Sequence, residues 1–146
     1  MPHDFKQFPE LTNTQMQIYY FESPHKQITE DFRAKVIRVI DGDTIRLKCD
    51  FRNFEFPMRI IIIDAPELGE EGGLESKIWL KNKIEGQEVD ILIDPNNKVE
   101  KWGRLLGDVM FGGESISEAS LRESKSILFG FEKEGGIPEW DLVGVF

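Results

Sequence analysis

Cysteine and histidine are nearly missing from this chain, and each scarcity removes a class of chemistry. The single cysteine, Cys49, excludes an intramolecular disulfide and any multi-cysteine zinc site. The two histidines, His3 and His25, both precede the densest apolar stretches, which argues against a multi-histidine transition-metal centre. Hard oxygen ligands remain. The longest aliphatic run is Ile60 to Ile63, far short of the roughly 20 residues that span a bilayer. The opening MPHDFKQFPELTNTQ has no basic stretch followed by an apolar one, so no secretion signal is expected and a cytoplasmic location is.

What is present amounts to one domain: 146 residues, 40% of them hydrophobic. A chain of this length buries roughly 68 to 70% of its unfolded surface and needs no covalent or metal staple. The net charge of -9 is unevenly spread, because residues 34 to 63 carry six basic and four acidic side chains, a local +2. Acidic chains are repelled by nucleic-acid backbones, which argues against a non-specific DNA-coating protein but spares an enzyme with one local cationic site.

Residues 1 to 33 read as an arm, with Pro2, Pro9 and Pro24 and an apolar burst at Ile18 to Phe21. It is either an added strand or helix packed on the domain, or a contact for a partner or a second subunit. From Ala34 the period becomes two. Val36 to Ile40 is a strand, Asp41-Gly42-Asp43 a turn, and Ile45, Leu47 and Cys49 alternate with Arg46, Lys48 and Asp50 as a half-buried strand. A turn at Arg52-Asn53 leads to Phe54, Phe56 and Met58, and Ile60 to Ile63 reads as a fully buried strand end stopped by Asp64-Ala65-Pro66. Leu74, Ile78, Leu80 and Ile84 then share one half of a helical wheel, closed near Gly86. Val89 to Ile93 and Leu105 to Phe111 follow as strands, and Ser117 to Glu123 as a short helix. Five strands with a helix between the third and fourth is the order of an OB-type barrel, a mainly β fold with helices (α+β).

Three carboxylates mark strand ends. Asp43 opens the second strand, and Asp64 and Glu67 follow the third in DAPE. In a meander the second strand runs antiparallel to both neighbours, so its start and the end of the third lie at one end of the sheet. Asp43 and Asp64 therefore converge, and hard oxygens without histidine or cysteine suit Ca²⁺ or Mg²⁺, with the carbonyl of Ala65 available to complete the set. An EF-hand reading of Asp41, Asp43 and Ile45 fails, since the fifth position lacks an oxygen and the sixth is Arg46 instead of glycine. Arg59, ahead of the isoleucines, and Arg104, after Lys101-Trp102-Gly103, stand where a long cation needs an anionic partner. That partner is either the carboxylate cluster or a phosphate clamped by bidentate forks.

Taken together, VIRVIDGDTIRL, MRIIIIDAPE, and EKWGRLLGDV followed by SISEASLRE resemble the staphylococcal nuclease-like (thermonuclease) family over about residues 34 to 131. The resemblance implies an OB-fold, Ca²⁺-dependent phosphodiesterase acting on DNA and RNA and leaving 3′-phosphate ends. It makes Asp43 and Asp64 the metal carboxylates, with Ala65 lending its backbone carbonyl. Glu67 becomes the residue that holds or deprotonates the attacking water, and Arg59 and Arg104 the arginines on the scissile phosphate. Lys101 is a candidate substrate contact, and Phe129 and Phe131 are candidate counterparts of the paired tyrosines that flank the base, the alternative for both being core packing.

The chain departs from the family's prototype in two places. The loop from Glu67 to Glu75 holds four acids and no base where the prototype is lysine-rich. The end, EKEGGIPEWDLVGVF, is too broken by Gly135, Gly136 and Pro138 for the long third helix that closes the prototype's barrel. Residues 34 to 146 thus form a nuclease-like domain with a shortened C-terminus, and Tyr19, Tyr20 and Phe21, or a second subunit in a homodimer through the arm, are expected to cover the exposed barrel face. The functional alternatives are a non-catalytic nuclease-like module that binds nucleic acid or a protein partner, and a structural protein whose carboxylates and arginines pair internally.

Overall fold

The computed structural model describes residues 3–100 and 103–128. A short helix in the arm, α1 (Asn13–Tyr19), precedes β1 (Phe32–Asp41), β2 (Thr44–Cys49) and β3 (Arg52–Ile60), which form the antiparallel meander. After β4 (Ile63–Asp64) come α2 (Gly73–Ile84), β5 (Glu88–Leu92), β6 (Leu105–Phe111), β7 (Glu114–Ser115), α3 (Ile116–Arg122) and β8 (Ile127–Leu128). The sheet runs β3-β2-β1-β5-β6-β7, and β3 also pairs with β6, in parallel, which closes five strands into a barrel. Two register shifts in β1, between Val36 and Arg38 and between Val39 and Asp41, bend it enough to serve both β2 and β5. Among the described residues no helix is long and apolar enough to cross a membrane.

Strand alternation fills the barrel. Val36, Ile45, Leu47, Phe56, Met58, Ile60, Ile91, Leu105 and Val109 are fully buried, and Leu80 and Ile84 of α2 plug one end. α3 is tied to β6 through Asp108, whose carboxylate accepts the Ser115 hydroxyl and the Ser117 N–H.

Two apolar patterns resolve differently from their hydropathy. The run Ile60 to Ile63 is not one buried strand end: β3 stops at Ile60, Ile62 has φ 77 and is 39% exposed, and Ile63 restarts as β4 against β8. Having closed the barrel, the chain must turn over its rim, and a β-branched residue in the left-handed region is the strained outcome. On α2 the buried face is Gly73, Ser76, Leu80 and Ile84, while Leu74 and Ile78 are exposed. The first turns of the helix dock through Gly73 and Ser76, whose small size allows close approach, and its later turns through Leu80 and Ile84.

The arm is helical, and α1 opens with a capping box between Thr12 and Gln15. Tyr20 and Phe21 do not cover the barrel, since they are 50% and 98% exposed, and Tyr19 stacks instead near His3. The arm docks through Leu11 and through a buried ion pair, with Arg52 donating to Glu10 at 2.6 and 2.9 Å. Gln27 closes the arm on itself, accepting from the Leu11 N–H and donating to the Pro9 carbonyl.

Because Arg52 and Glu10 are 0% and 3% exposed, removing one partner strands the other. Glu10→Ala should therefore cost about 3 to 5 kcal/mol, and the double change Glu10→Leu with Arg52→Met should recover most of it. Urea unfolding checks this; a single-variant cost no larger than that of a surface substitution would mean that the arm is not docked.

Candidate active site

The turn between β1 and β2 is built to hold a carboxylate. Asp41 accepts the Asp43 N–H at 3.0 Å, as Asx turns do, and the Asp43 carbonyl accepts the Ile60 N–H at 2.7 Å. These bonds leave the Asp43 carboxylate facing the end of β3. Thr44 donates its hydroxyl to Oδ1 at 3.1 Å, and Ala65 donates its N–H to Oδ2 at 3.0 Å. The DAPE segment is thereby pinned to the hairpin.

Arg59, one residue before β3 ends, completes the cluster. Its Nη2 lies 3.4 Å from Asp43 Oδ2 and 3.3 Å from Asp64 Oδ1. One guanidinium thus bridges two carboxylates that arrive from different turns. Gly42 makes the assembly possible, because a Cβ there would overlap the Ser76 hydroxyl of α2 and lie 2.6 Å from the Ala65 Cβ. Hairpin, DAPE segment and helix meet at that one point.

Burial pushes the Asp43 carboxyl up to about 6, and its hydrogen-bonded neighbour Asp41 adds to the rise, against the lowering effects of the Ala65 N–H and Arg59. The site is short of positive charge. Asp41, set aside with the EF-hand reading, belongs to the site as the acceptor that shapes the turn under Asp43.

Beyond Asp64 the chain folds back on itself. The Glu67 N–H donates to the Glu70 carboxylate at 3.0 Å, and a Cβ on Gly73 would overlap the Glu67 carbonyl, so the acidic loop is a tight turn. It walls a cleft of about 460 Å³ that Asp64, Ala65, Glu67 and Glu71 line on one side. Ser126 and Lys125 line the other. Lys125 also lacked a motif in the sequence; only the left-handed Ser124, φ 59, carries it there after α3.

Arg104 is not part of this cluster. Its Nε donates to Glu100 at 2.7 Å and its Nη2 to the same carboxylate at 3.3 Å. Lys101, Phe129 and Phe131 lie outside the described residues, as does the C-terminal segment from 129 onward. Among the described residues no group of three or more His, Cys, Asp or Glu side chains is arranged for one metal ion. Asp43 and Asp64 still fit half of a hard-cation site: both carboxylates face one cationic centre, and such ions accept backbone carbonyls and water as remaining ligands.

Residues 57–128 match the family model described as staphylococcal nuclease homologue. A micrococcal nuclease of Shigella flexneri is 35% identical over 79 residues, 54% of this chain and 42% of the relative. A thermonuclease of Staphylococcus hyicus is 34% identical over 95 residues, 61% of this chain and 54% of the relative. An uncharacterised protein of Bacillus anthracis is 28% identical over 105 residues, 68% of this chain and 48% of the relative. The chain spans about half the length of the curated relatives it matches. The family match takes in Arg59, Asp64 and Glu67 but begins after Asp43, whose place in the cluster rests on geometry.

The raised Asp43 pKa has a definite sign. Unfolded, the carboxyl ionises near 3.8, and folded near about 6, so in that interval the native state holds the extra proton and stability falls as pH rises. Above pH 7 the full cost is present. In EDTA, Asp43→Asn should thus stabilise the protein at pH 8, by on the order of 1 to 2 kcal/mol, and give no gain at pH 4. Thermal melts across that range check it, and a variant no more stable than the parent at pH 8 would contradict it.

Proposed function

The chain belongs to the staphylococcal nuclease-like family, and from that premise we propose that it is a metal-dependent phosphodiesterase that cleaves DNA, RNA or both. The supporting observation is the convergence of Asp43 and Asp64 on Arg59 beside the Glu67 cleft. Asp43, Asp64 and the Ala65 carbonyl would hold a divalent cation, Ca²⁺ by family resemblance and Mg²⁺ less readily. When bound, the cation supplies Lewis-acid stabilisation of charge on the phosphate oxygens.

This chain's residues supply the rest. With the two carboxylates neutralised, the Arg59 fork would turn donors to a non-bridging phosphate oxygen, where negative charge grows in the transition state. Glu67, on the cleft wall, orients the attacking water and takes its proton. Arg104 serves as the second clamp by exchanging Glu100 for phosphate. Loss of the 5′-oxygen leaves a 3′-phosphate end. One observation favours the rival reading, a non-catalytic module for nucleic acid or a protein partner: Arg104 is already forked onto Glu100.

Release of acid-soluble nucleotides from single-stranded DNA with Ca²⁺, Mg²⁺ or EDTA decides between them. Cleavage is expected with Ca²⁺ and not in EDTA. Arg59→Ala, Glu67→Ala and Arg104→Ala should each lower turnover about 10²-fold or more with the fold intact, while Asp43→Ala should mainly weaken metal binding. Folded protein that fails to cleave under any of these metal conditions is the binding module, and full activity in all three variants would remove these residues from the mechanism.

A further inference from the structure

The solvent face of the β1–β2 hairpin carries an arrangement that costs stability and that the cleavage site does not use. Register places Arg38 directly opposite Arg46 and Lys35 directly opposite Lys48. Like charges facing each other across antiparallel strands repel. Inward, the same hairpin pairs Val39 with Ile45 and Val36 with Leu47, so the four cations share the outer face. Lys35, Arg38 and Lys48 are exposed and Arg46 is half-buried.

The chain has a net charge of -9 and 27 acidic side chains, so acidic partners are plentiful in the sequence. Among the described residues none of the four makes an ion pair. Arg46 donates only to the Glu55 carbonyl, at 3.3 Å, and Lys35 faces Glu88 across β5 without closing a bridge. By contrast Arg33, on the same strand, is matched by Asp90 at 3.1 Å.

The stripe leads to the site. Arg59 pairs in register with Thr44 and Pro57 with Arg46, so Arg59 stands on the face that carries Arg46 and Lys48. Thr44, Arg46 and Lys48 follow one another about 7 Å apart along β2, which suits the repeating phosphates of an extended single strand.

We propose that Arg38, Arg46 and Lys48 form a track for the backbone of a single-stranded nucleic acid whose scissile phosphate lies at Arg59. The proposal rests on the nuclease reading for the polarity of the track, and it explains how an acidic protein holds a polyanion: attraction is confined to one strip. The acidic loop walls the other side of the site and repels strands that approach off the track.

The test is binding of a fluorescein-labelled oligothymidylate of about 16 nucleotides to the full chain in EDTA, followed by anisotropy over a range of salt concentrations. The triple variant Arg38→Gln, Arg46→Gln, Lys48→Gln should bind about ten-fold more weakly or worse at low salt. Its slope of log affinity against log salt should shrink by about 2, since each single-strand phosphate contact contributes about 0.7. Its melting temperature should not fall, because repulsion is relieved, and its cleavage of a dinucleotide, which does not reach the track, should match the parent. The charge-conserving variant Arg38→Lys, Arg46→Lys should keep the salt slope. Unchanged affinity and slope in the triple variant would overturn the track. A parent that binds with the expected slope but fails to cleave whichever metal is added would keep the track and overturn the nuclease reading.

Discussion

The parallel pairing of β3 with β6 closes the sheet, and the geometry of the site follows from that closure. Met58, Arg59 and Ile60 lie against Leu105, Leu106 and Gly107, and the next amide, Ile61, still donates to the Gly107 carbonyl at 3.0 Å. β3 is paired on both edges, by β2 and by β6, and ends at Ile60. The chain turns at Ile62 and returns over the rim, which carries Asp64 and Ala65 to the Asp43 carboxylate. Arg59 is held by backbone pairing on both sides while its guanidinium is shared between two acids, so the position of the cation is set by strand pairing instead of a flexible loop.

Charge is distributed against stability in two places, and in both the imbalance points toward a ligand. At the rim, buried Asp43 has one shared guanidinium and an acidic neighbour, which leaves its ionised form undercompensated. On the hairpin, cations face cations across the strands. Several other charges are matched: Glu10 with Arg52, Glu100 with Arg104, and Glu114 with both Lys83 and Arg122. What sets the rim and the hairpin apart is geometry: a buried carboxylate beside another acid, and cations held directly opposite cations by strand register. The stability lost there is what a bound cation or polyanion would restore.

The arm beside the barrel is held by a different principle from the core. α1 buries no residue, and its attachment comes from Leu11, the Glu10–Arg52 pair and the Gln27 bonds that fold the arm on itself. Arg52 also stacks over Phe54 and Phe56, at 5.0 and 4.5 Å from their ring centres, so its guanidinium is both paired and covered. The arm also reaches Gly103, against which Phe8 lies, next to Arg104. An element outside the family match therefore touches the backbone that presents a candidate site arginine.

The sequence by itself determined the barrel strands and the meeting of Asp43 with Asp64, because alternation with a period of two reports which face is buried, and an antiparallel meander brings alternate strand ends together. Ile45, Leu47, Phe56 and Met58 were legible for that reason, and so were the two aspartates. Other features depend on contacts between segments far apart in the chain, which no local pattern encodes. Hydropathy cannot report the left-handed turn at Ile62, since four isoleucines look alike until β6 occupies the open edge of β3. It likewise marked Leu74 and Ile78 as core, although the first turns of α2 dock through Gly73 and Ser76, where small size matters more than apolarity. Which acid takes Arg104, what anchors the arm at Arg52, and that Arg38 faces Arg46 were decided only by the tertiary structure. An ion pair or a cross-strand register depends on where two distant segments come to rest, and that position is set by the closure of the whole sheet.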